Sequence, residues 1–174
     1  MKLQAITEKP PPGALGLLAA LGDGENGFGG TAVGGEPGRL ADWLEYCVHL
    51  ANSPPLSDDF PQQHNFWLLD AEGQAIGLIR MNPRLNAELL NWGGHVGYYI
   101  IPAKRRLGYG KTALRLALNE LRRRGVKRAL ITVETHNVAS RRIILKFGGI
   151  LEDERTNSHG QAYRRYWLDT VKTF

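Results

Sequence analysis

Residues 105–112 read RRLGYGKT, and they separate an apolar, β-prone run at 96–101 from a long amphipathic segment at 109–124. A strand, a glycine-containing loop and a helix in this order can bind an anion, because glycines allow a tight turn that exposes backbone N–H groups. The start of the helix adds free N–H groups and a dipole that favour a phosphate. The sequence therefore predicts a phosphate-binding loop here, with a plain turn as the alternative interpretation.

Two common phosphate-binding motifs do not fit this stretch. A P-loop would need a glycine where the sequence has Arg105. The dinucleotide-binding fingerprint would need a third glycine where the sequence has Ala113, and no acidic residue ends a following strand at the expected distance. The loop is therefore expected to belong to another class of phosphate-binding site.

The composition bounds the class of protein. A length of 174 residues predicts one domain with a sizeable core, and 43% hydrophobic with 22% charged residues is typical of a soluble globular protein. The net charge of +5 fits an anionic cofactor or an acidic partner as well as nucleic acid. The single cysteine, Cys47, excludes an internal disulfide and favours a reducing compartment. Without a long apolar stretch or a good signal peptide, we expect a cytoplasmic protein that binds no membrane.

The hydrophobic periodicity predicts helices and strands in a mixed order. Helices are predicted at 13–21, 39–51, 109–124 and 138–147, and strands at 66–70, 74–81, 92–101, 128–134, 150–154 and 163–168. The stretches at 1–12, 22–38 and 52–65 are predicted as an extended lead-in, a glycine-rich loop without chemistry and a proline-rich loop, and 83–91 as a connection that can contain a helical turn. This order predicts a mixed α/β sheet. On the helix at 39–51, Cys47 lies on the apolar stripe, where a small buried hydrophobe is favoured over a nucleophile.

Three parts of the sequence together resemble the GNAT superfamily of N-acetyltransferases. Residues 105–110 match the three fixed positions of its acetyl-CoA loop, [Q/R]-x-x-G-x-[G/A], and the preceding GYYIIP at 97–102 is similar to its strand that ends in proline. Residues 137–149 resemble its second motif, an asparagine followed by a helix and glycines. The resemblance covers about residues 66–168, with both motifs within 93–149. It implies one N-acetyltransferase domain over 1–174, with a central, mostly antiparallel sheet flanked by helices.

The resemblance implies acetyl-CoA as the cosubstrate and no metal. The pyrophosphate would lie on the N–H groups of 107–111, with basic side chains pairing with the phosphates. Asn137 corresponds to an asparagine that contacts the pantetheine arm, with a helix N-cap as its alternative or additional role, and Ser140 to a position that faces the cofactor. The residues expected to contact the cofactor are Ile100, Ile101, Arg105, Arg106, Leu107, Gly108, Tyr109, Gly110, Lys111, Asn137 and Ser140.

The implied chemistry is direct transfer, in which a neutral amine attacks the thioester and backbone N–H groups stabilise the developing oxyanion. The sequence departs from the family at the position of the tyrosine that usually protonates the thiolate, where it has Ile144. A water, an unassisted thiolate or another tyrosine would have to serve. The tyrosines considered are Tyr98, Tyr99, Tyr163 and Tyr166.

Two residues are candidates for the general base. Glu134 shares one face of its strand with Thr132, the position at which several relatives carry a carboxylate base, and a solvent-exposed strand-end glutamate is the alternative. His95 lies beside glycines in the central strand and could titrate near neutral pH, although a histidine bonded within the sheet is the commoner case.

The acceptor is left open among a small amine, an amino acid, an antibiotic amine and a peptide or protein N-terminus, and a homodimer is left open as well. A non-catalytic acyl-CoA-binding sensor is the first alternative function, because the family's tyrosine is missing. A basic nucleic-acid-binding domain is the second, although the arginine run at 122–124 ends a helix, where a solvated face explains it better. We therefore expect an amine partner and no nucleic acid.

Overall fold

The computed structural model describes residues 1–53 and 61–171. Its strands are β1 (Lys2–Ala5), β2 (Gly24–Glu25), β3 (Phe28–Gly29), β4 (His64–Leu69), β5 (Ala75–Met81), β6 (Val96–Ile100), β7 (Arg128–Glu134), β8 (Ile150–Thr156) and β9 (Ala162–Asp169). Its α-helices are α1 (Ala14–Leu21), α2 (Pro37–Asn52), α3 (Tyr109–Arg123) and α4 (Val138–Lys146). The middle of the proline-rich loop predicted at 52–65 lies outside the described residues.

The strands form two antiparallel sheets that meet edge to edge. The first has the order β1-β4-β5-β6 and the second the order β7-β9-β8. They join just before β6, through a bridge between Gly94 and Ile131 and a bond from the His95 N–H to the Leu130 carbonyl at 2.7 Å. Within the described residues β6 and β7 themselves do not pair, so a gap opens in the middle of the combined sheet.

Helices cover both faces and bury the core in two layers. The apolar stripe predicted for α3 is buried and packs into the cluster that β7 and α4 share. Its residues are Leu114, Ala117, Leu118 and Leu121. On the opposite face, α1 and α2 pack over Trp67 and Leu78 in a second cluster. The predicted mixed α/β sheet with flanking helices is confirmed. Within the described ranges, no helix is long and apolar enough to cross a membrane.

The structure corrects three local predictions. The lead-in at 1–12 contains β1. This short strand pairs with β4 and so forms the edge of the first sheet. The loop at 22–38 contains the β2–β3 hairpin. The strand predicted at 92–101 begins only at Val96, and a π-helical turn, Leu89–Gly93, precedes it. Gly94 causes the break: its φ is 71°, and an added Cβ would lie 2.7 Å from the Leu130 carbonyl.

Candidate active site

The gap between β6 and β7 opens into a cavity of about 590 Å³. Its walls come from β6 and β7, the loop before α3, the start of α4 and the β2–β3 hairpin. Eight of the residues predicted to hold the cofactor line it, namely Ile100, Arg105, Arg106, Gly108, Gly110, Lys111, Asn137 and Ser140. Ile101, Leu107 and Tyr109 do not line it. The structure therefore brings the two sequence motifs together around one space.

The loop before α3 has the backbone of an anion-binding site. Arg106 has a φ of 61° and Gly108 a φ of 84°, and α3 starts directly after Gly108. A turn of this kind can aim successive N–H groups toward one side, which forms a concavity for an anion. Gly110 lets the start of α3 approach α4 closely, because an added Cβ there would lie 3.1 Å from Ile143 Cδ1.

The three basic side chains of this loop are used differently. Arg105 donates from Nε to the Ile100 carbonyl at 2.8 Å, forms an ion pair with Glu25 and lies 5.4 Å from the Tyr99 ring centroid. Arg105 is therefore part of the wall. Arg106 and Lys111 are exposed and have no ion pair within the described part of the chain, so both charges are available to phosphate.

The main chain of β6 offers hydrogen-bonding groups to the gap. The Ile101 N–H donates to the Ile76 carbonyl at 3.0 Å, so the neighbouring pair Gly77 and Ile100 exchanges no hydrogen bonds. Because bonded and non-bonded pairs alternate in an antiparallel ladder, the main-chain groups of Ile100 and Tyr98 point away from β5 and toward the gap. The N–H of Ile101 instead faces β5.

Asn137 and Ser140 connect α4 to the cavity. The Asn137 side chain accepts a hydrogen bond from the Ser140 N–H at 3.1 Å, so Asn137 caps the helix and also lines the cavity. The Ser140 hydroxyl accepts a hydrogen bond from the Tyr98 hydroxyl at 3.2 Å. Burial raises the pKa of the Tyr98 phenol, and the bond with Ser140 partly offsets this.

Comparison with known proteins agrees with this arrangement. Residues 37–148, more than half of the chain, match the family model of the acetyltransferase (GNAT) family. The chain belongs to the GNAT family. It is therefore an acetyl-CoA-dependent N-acetyltransferase, and the split sheet is the part of the GNAT fold that holds the cavity. No curated protein matches the sequence.

Solved structures show the same GNAT fold over nearly the whole chain. One single-residue mutant of the spermidine N-acetyltransferase SpeG from Vibrio cholerae is 16% identical with a TM-score of 0.67, and the match covers 99% of this chain and 96% of that one. A second single-residue mutant of the same Vibrio cholerae enzyme is 16% identical with a TM-score of 0.68, covering 98% and 94%. At this level of identity the likeness shows the fold alone.

The β2–β3 hairpin is the part of this GNAT site that sequence reasoning missed. Its residues 25–28 line the cavity. Arg80 holds it in place by donating to the carbonyls of Gly29 at 2.8 Å and Gly30 at 2.9 Å, with its guanidinium 4.5 Å from the Phe28 ring centroid. The available signal was the Asn26-Gly27 pair, both with positive φ, which is typical of a two-residue hairpin turn.

Glu134 lies beneath this hairpin and is buried, with 6% of its surface exposed. It accepts a hydrogen bond from the Tyr163 hydroxyl at 3.3 Å and lies 3.2 Å from His136 Nε2. An added Cβ at Gly27 would lie 3.4 Å from Glu134 Cγ. The interpretation of Glu134 as a solvent-exposed strand-end residue is therefore wrong. Its carboxylate does not itself line the cavity, although Gly27 and Val133 beside it do.

His95 lies outside the cavity and is bonded into the split of the sheet. Its Nδ1 accepts a hydrogen bond from the Leu130 N–H at 2.9 Å, and its ring centroid lies 6.3 Å from that of Trp167, edge to face. Burial lowers the pKa of His95 to about 4. A neutral imidazole whose Nδ1 already accepts a hydrogen bond suits a structural role between β6 and β7. The structure does not bring His95 to the other candidate site residues.

Cys47 and the arginine run lie away from the cavity. Cys47 is buried in α2, and burial raises the pKa of its thiol to about 12 despite the charge of Arg80. Arg123 and Arg124 form ion pairs with Glu120. Among residues 1–53 and 61–171, no group of three or more His, Cys, Asp or Glu side chains is placed to hold a metal.

Proposed function

We propose that residues 1–174 form a single-domain N-acetyltransferase that moves the acetyl group of acetyl-CoA directly to a primary amine. The cavity in the split sheet carries this proposal, because the glycine loop before α3, the gap-facing main chain of β6 and the start of α4 surround one space, and the buried carboxylate of Glu134 lies against Gly27 in its wall. Acetyl-CoA supplies an activated acyl group as a thioester. The chain supplies the binding groups, the orientation and the proton transfer.

The cofactor end of the cavity fits an anionic nucleotide. The N–H groups of 107–111 and the start of α3 would hold the pyrophosphate, and Arg106 and Lys111 would pair with phosphate oxygens. The N–H of Ile100, whose carbonyl already accepts a hydrogen bond from Arg105, would bond an amide of the pantetheine arm, with Asn137 and Ser140 on the opposite wall. This is supported by the left-handed backbone at Arg106 and Gly108 and by the loop residues that line the cavity.

Glu134 is our candidate for the general base. Its carboxylate is buried, accepts a hydrogen bond from Tyr163 and lies against Gly27 of the hairpin, which supports a role as a proton acceptor beside the cavity. Because Glu134 does not line the cavity, it would take the amine proton through the Tyr163 hydroxyl or a bridging water. His95 would act from outside by keeping β6 and β7 at their separation.

The acceptor end would take an amine in the space between the hairpin and the π-helical turn, where Trp92 and Phe28 line the wall. The SpeG structures belong to an enzyme that acetylates spermidine, by its name, and a small-molecule amine is the acceptor class that we place first. A peptide amine is the second. We expect the protein to act in the cytoplasm, without nucleic acid or membrane, and size measurement in solution would decide whether it is a homodimer.

Thiol release from acetyl-CoA in the presence of a panel of amines tests the proposal. The panel should contain polyamines, amino acids, aminoglycoside-type amines and peptides with free N-termini. Turnover with any of them supports the proposed function. Tight binding of acetyl-CoA without turnover across the whole panel would favour the acyl-CoA sensor instead.

A further inference from the structure

Ile144 stands where the GNAT resemblance places a proton-donating tyrosine. It is fully buried and lines the cavity. Because isoleucine has no hydroxyl, this position of α4 offers no proton donor. A side-chain donor for the leaving sulfur would have to come from another element that reaches the same place; without one, a water or an unassisted thiolate would serve.

The Tyr98 hydroxyl reaches that face of α4 from β6. It donates a hydrogen bond to the Ser140 hydroxyl at 3.2 Å, and Tyr98, Ser140 and Ile144 all line the cavity. Ser140 and Ile144 are four residues apart on α4 and so lie on one face, about one helical turn from each other. The hydroxyl of Tyr98 is thus delivered next to the position from which a tyrosine at 144 would project.

Ser140 is itself held in place. Its N–H donates to the side chain of Asn137 at 3.1 Å, so the helix cap fixes the residue that accepts the hydrogen bond of Tyr98. The main-chain groups of Tyr98 also face the gap, as the β5–β6 register requires. The ring and the peptide of one residue therefore border the same space.

We propose that Tyr98 is the proton donor to the coenzyme A sulfur and that Ser140 is its positioning residue. When the C–S bond of the thioester breaks, its electron pair stays on sulfur, the phenol O–H bond breaks, and an S–H bond forms. The Ser140 hydroxyl then donates a hydrogen bond to the phenolate. The phenolate regains a proton from solvent, which balances the proton that the acceptor amine has lost. This inference rests on the proposed function.

The other three candidate tyrosines have other contacts. Tyr99 also lines the cavity, but it lies on the opposite face of β6 from Tyr98, against Phe28 and Arg105. Tyr163 donates to Glu134, and Tyr166 is 3% exposed within the core cluster. Burial also raises the pKa of the Tyr98 phenol, which keeps the donor protonated.

The first arm of the test is kinetic and compares Tyr98→Phe with Tyr166→Phe, a matched loss of one phenol from the core. We expect Tyr98→Phe to lower kcat by about 10²-fold or more with an unchanged KM for acetyl-CoA and an unchanged melting temperature. Tyr166→Phe should keep the wild-type kcat. A Tyr98→Phe enzyme with a near-normal kcat would overturn the proposal.

The second arm needs no acceptor amine. Calorimetry at about pH 9, where a thiol is largely ionised, compares coenzyme A with its analogue that lacks the sulfur. A hydrogen bond to a charged group predicts that wild type binds coenzyme A roughly tenfold more tightly than the analogue, and that Tyr98→Phe loses this preference. Ser140→Ala should lose part of it and Ser140→Thr should restore it.

The two arms separate this inference from the proposed function. If wild type acetylates no amine, the proposed function fails, but the preference for coenzyme A over its analogue still decides the place of the Tyr98 hydroxyl. If Tyr98→Phe keeps that preference, the hydroxyl does not contact the sulfur and the inference is wrong, whatever happens to kcat.

Discussion

The pH dependence of stability should report the buried imidazole of His95. Its pKa falls from the ordinary value of 6.5 to about 4 on folding, chiefly because burial disfavours the charged ring. A protonated ring would also lose the acceptor at Nδ1 that the Leu130 N–H uses. The folded state therefore keeps His95 neutral at a pH at which the unfolded chain binds a proton.

The sign and the size of the effect follow from this difference. Because the unfolded state binds more protons between pH 6.5 and 4, the free energy of unfolding is highest above pH 6.5 and falls as the pH falls toward 4. The whole span is worth about 3 kcal/mol, and the part between pH 7 and pH 5 about 2 kcal/mol. In urea titrations, a loss of this size lowers the unfolding midpoint by about 1 M.

His95→Asn isolates this contribution, because the asparagine oxygen keeps an acceptor near the position of Nδ1 but does not titrate. The variant should unfold more easily than wild type at pH 7, since the smaller side chain leaves a void. Its free energy of unfolding should then lose about 2 kcal/mol less than wild type between pH 7 and pH 5.

Other titrating groups, including His64, whose pKa is also lowered by burial, act on both proteins and cancel in the comparison. Equal losses in wild type and His95→Asn would refute the reasoning. A kcat that falls by 10²-fold or more in a folded His95→Asn enzyme would instead return the base role to this residue.

Three further variants test the site. Gly108→Asp should abolish the rise in melting temperature that coenzyme A causes. Crowding is not the reason, since an added Cβ at 108 meets nothing within 4 Å. The reasons are backbone strain at a φ of 84° and a carboxylate that would face phosphate. The control Gly125→Asp, with the same φ and equal space at the other end of α3, should keep the rise in melting temperature. An unchanged affinity of Gly108→Asp for coenzyme A in calorimetry would exclude the loop as the phosphate site. Glu134→Gln should lower kcat by roughly 10²–10⁴-fold while acetyl-CoA still binds, with exposed Glu154→Gln as the control; near-normal turnover would exclude Glu134 as the base. Cys47→Ala should retain turnover at a stability cost of about 1 kcal/mol, whereas an acetyl group trapped on Cys47 in wild type would replace direct transfer with a covalent route.

Local patterns in the sequence determined the helices, most strands and the glycine loop before α3. The apolar spacing of α3 is a property of neighbouring residues, and burial follows it closely, whereas β7 is buried on both faces. The loop at 105–110 could be identified because its glycines and basic residues act through the local backbone. The absence of the family's tyrosine, where this chain has Ile144, was visible in the sequence as well.

The tertiary structure decided which distant groups meet at the site. Glu134 lies beneath a hairpin more than 100 residues earlier and beside Tyr163 of β9, and Arg80 holds that hairpin through carbonyls about 50 residues away. The sequence likewise offered four tyrosines without ranking them, and the pairing of Tyr98 with Ser140, 42 residues apart, selects one. Contacts over such separations depend on how the split sheet and its helices pack together, which no local pattern records.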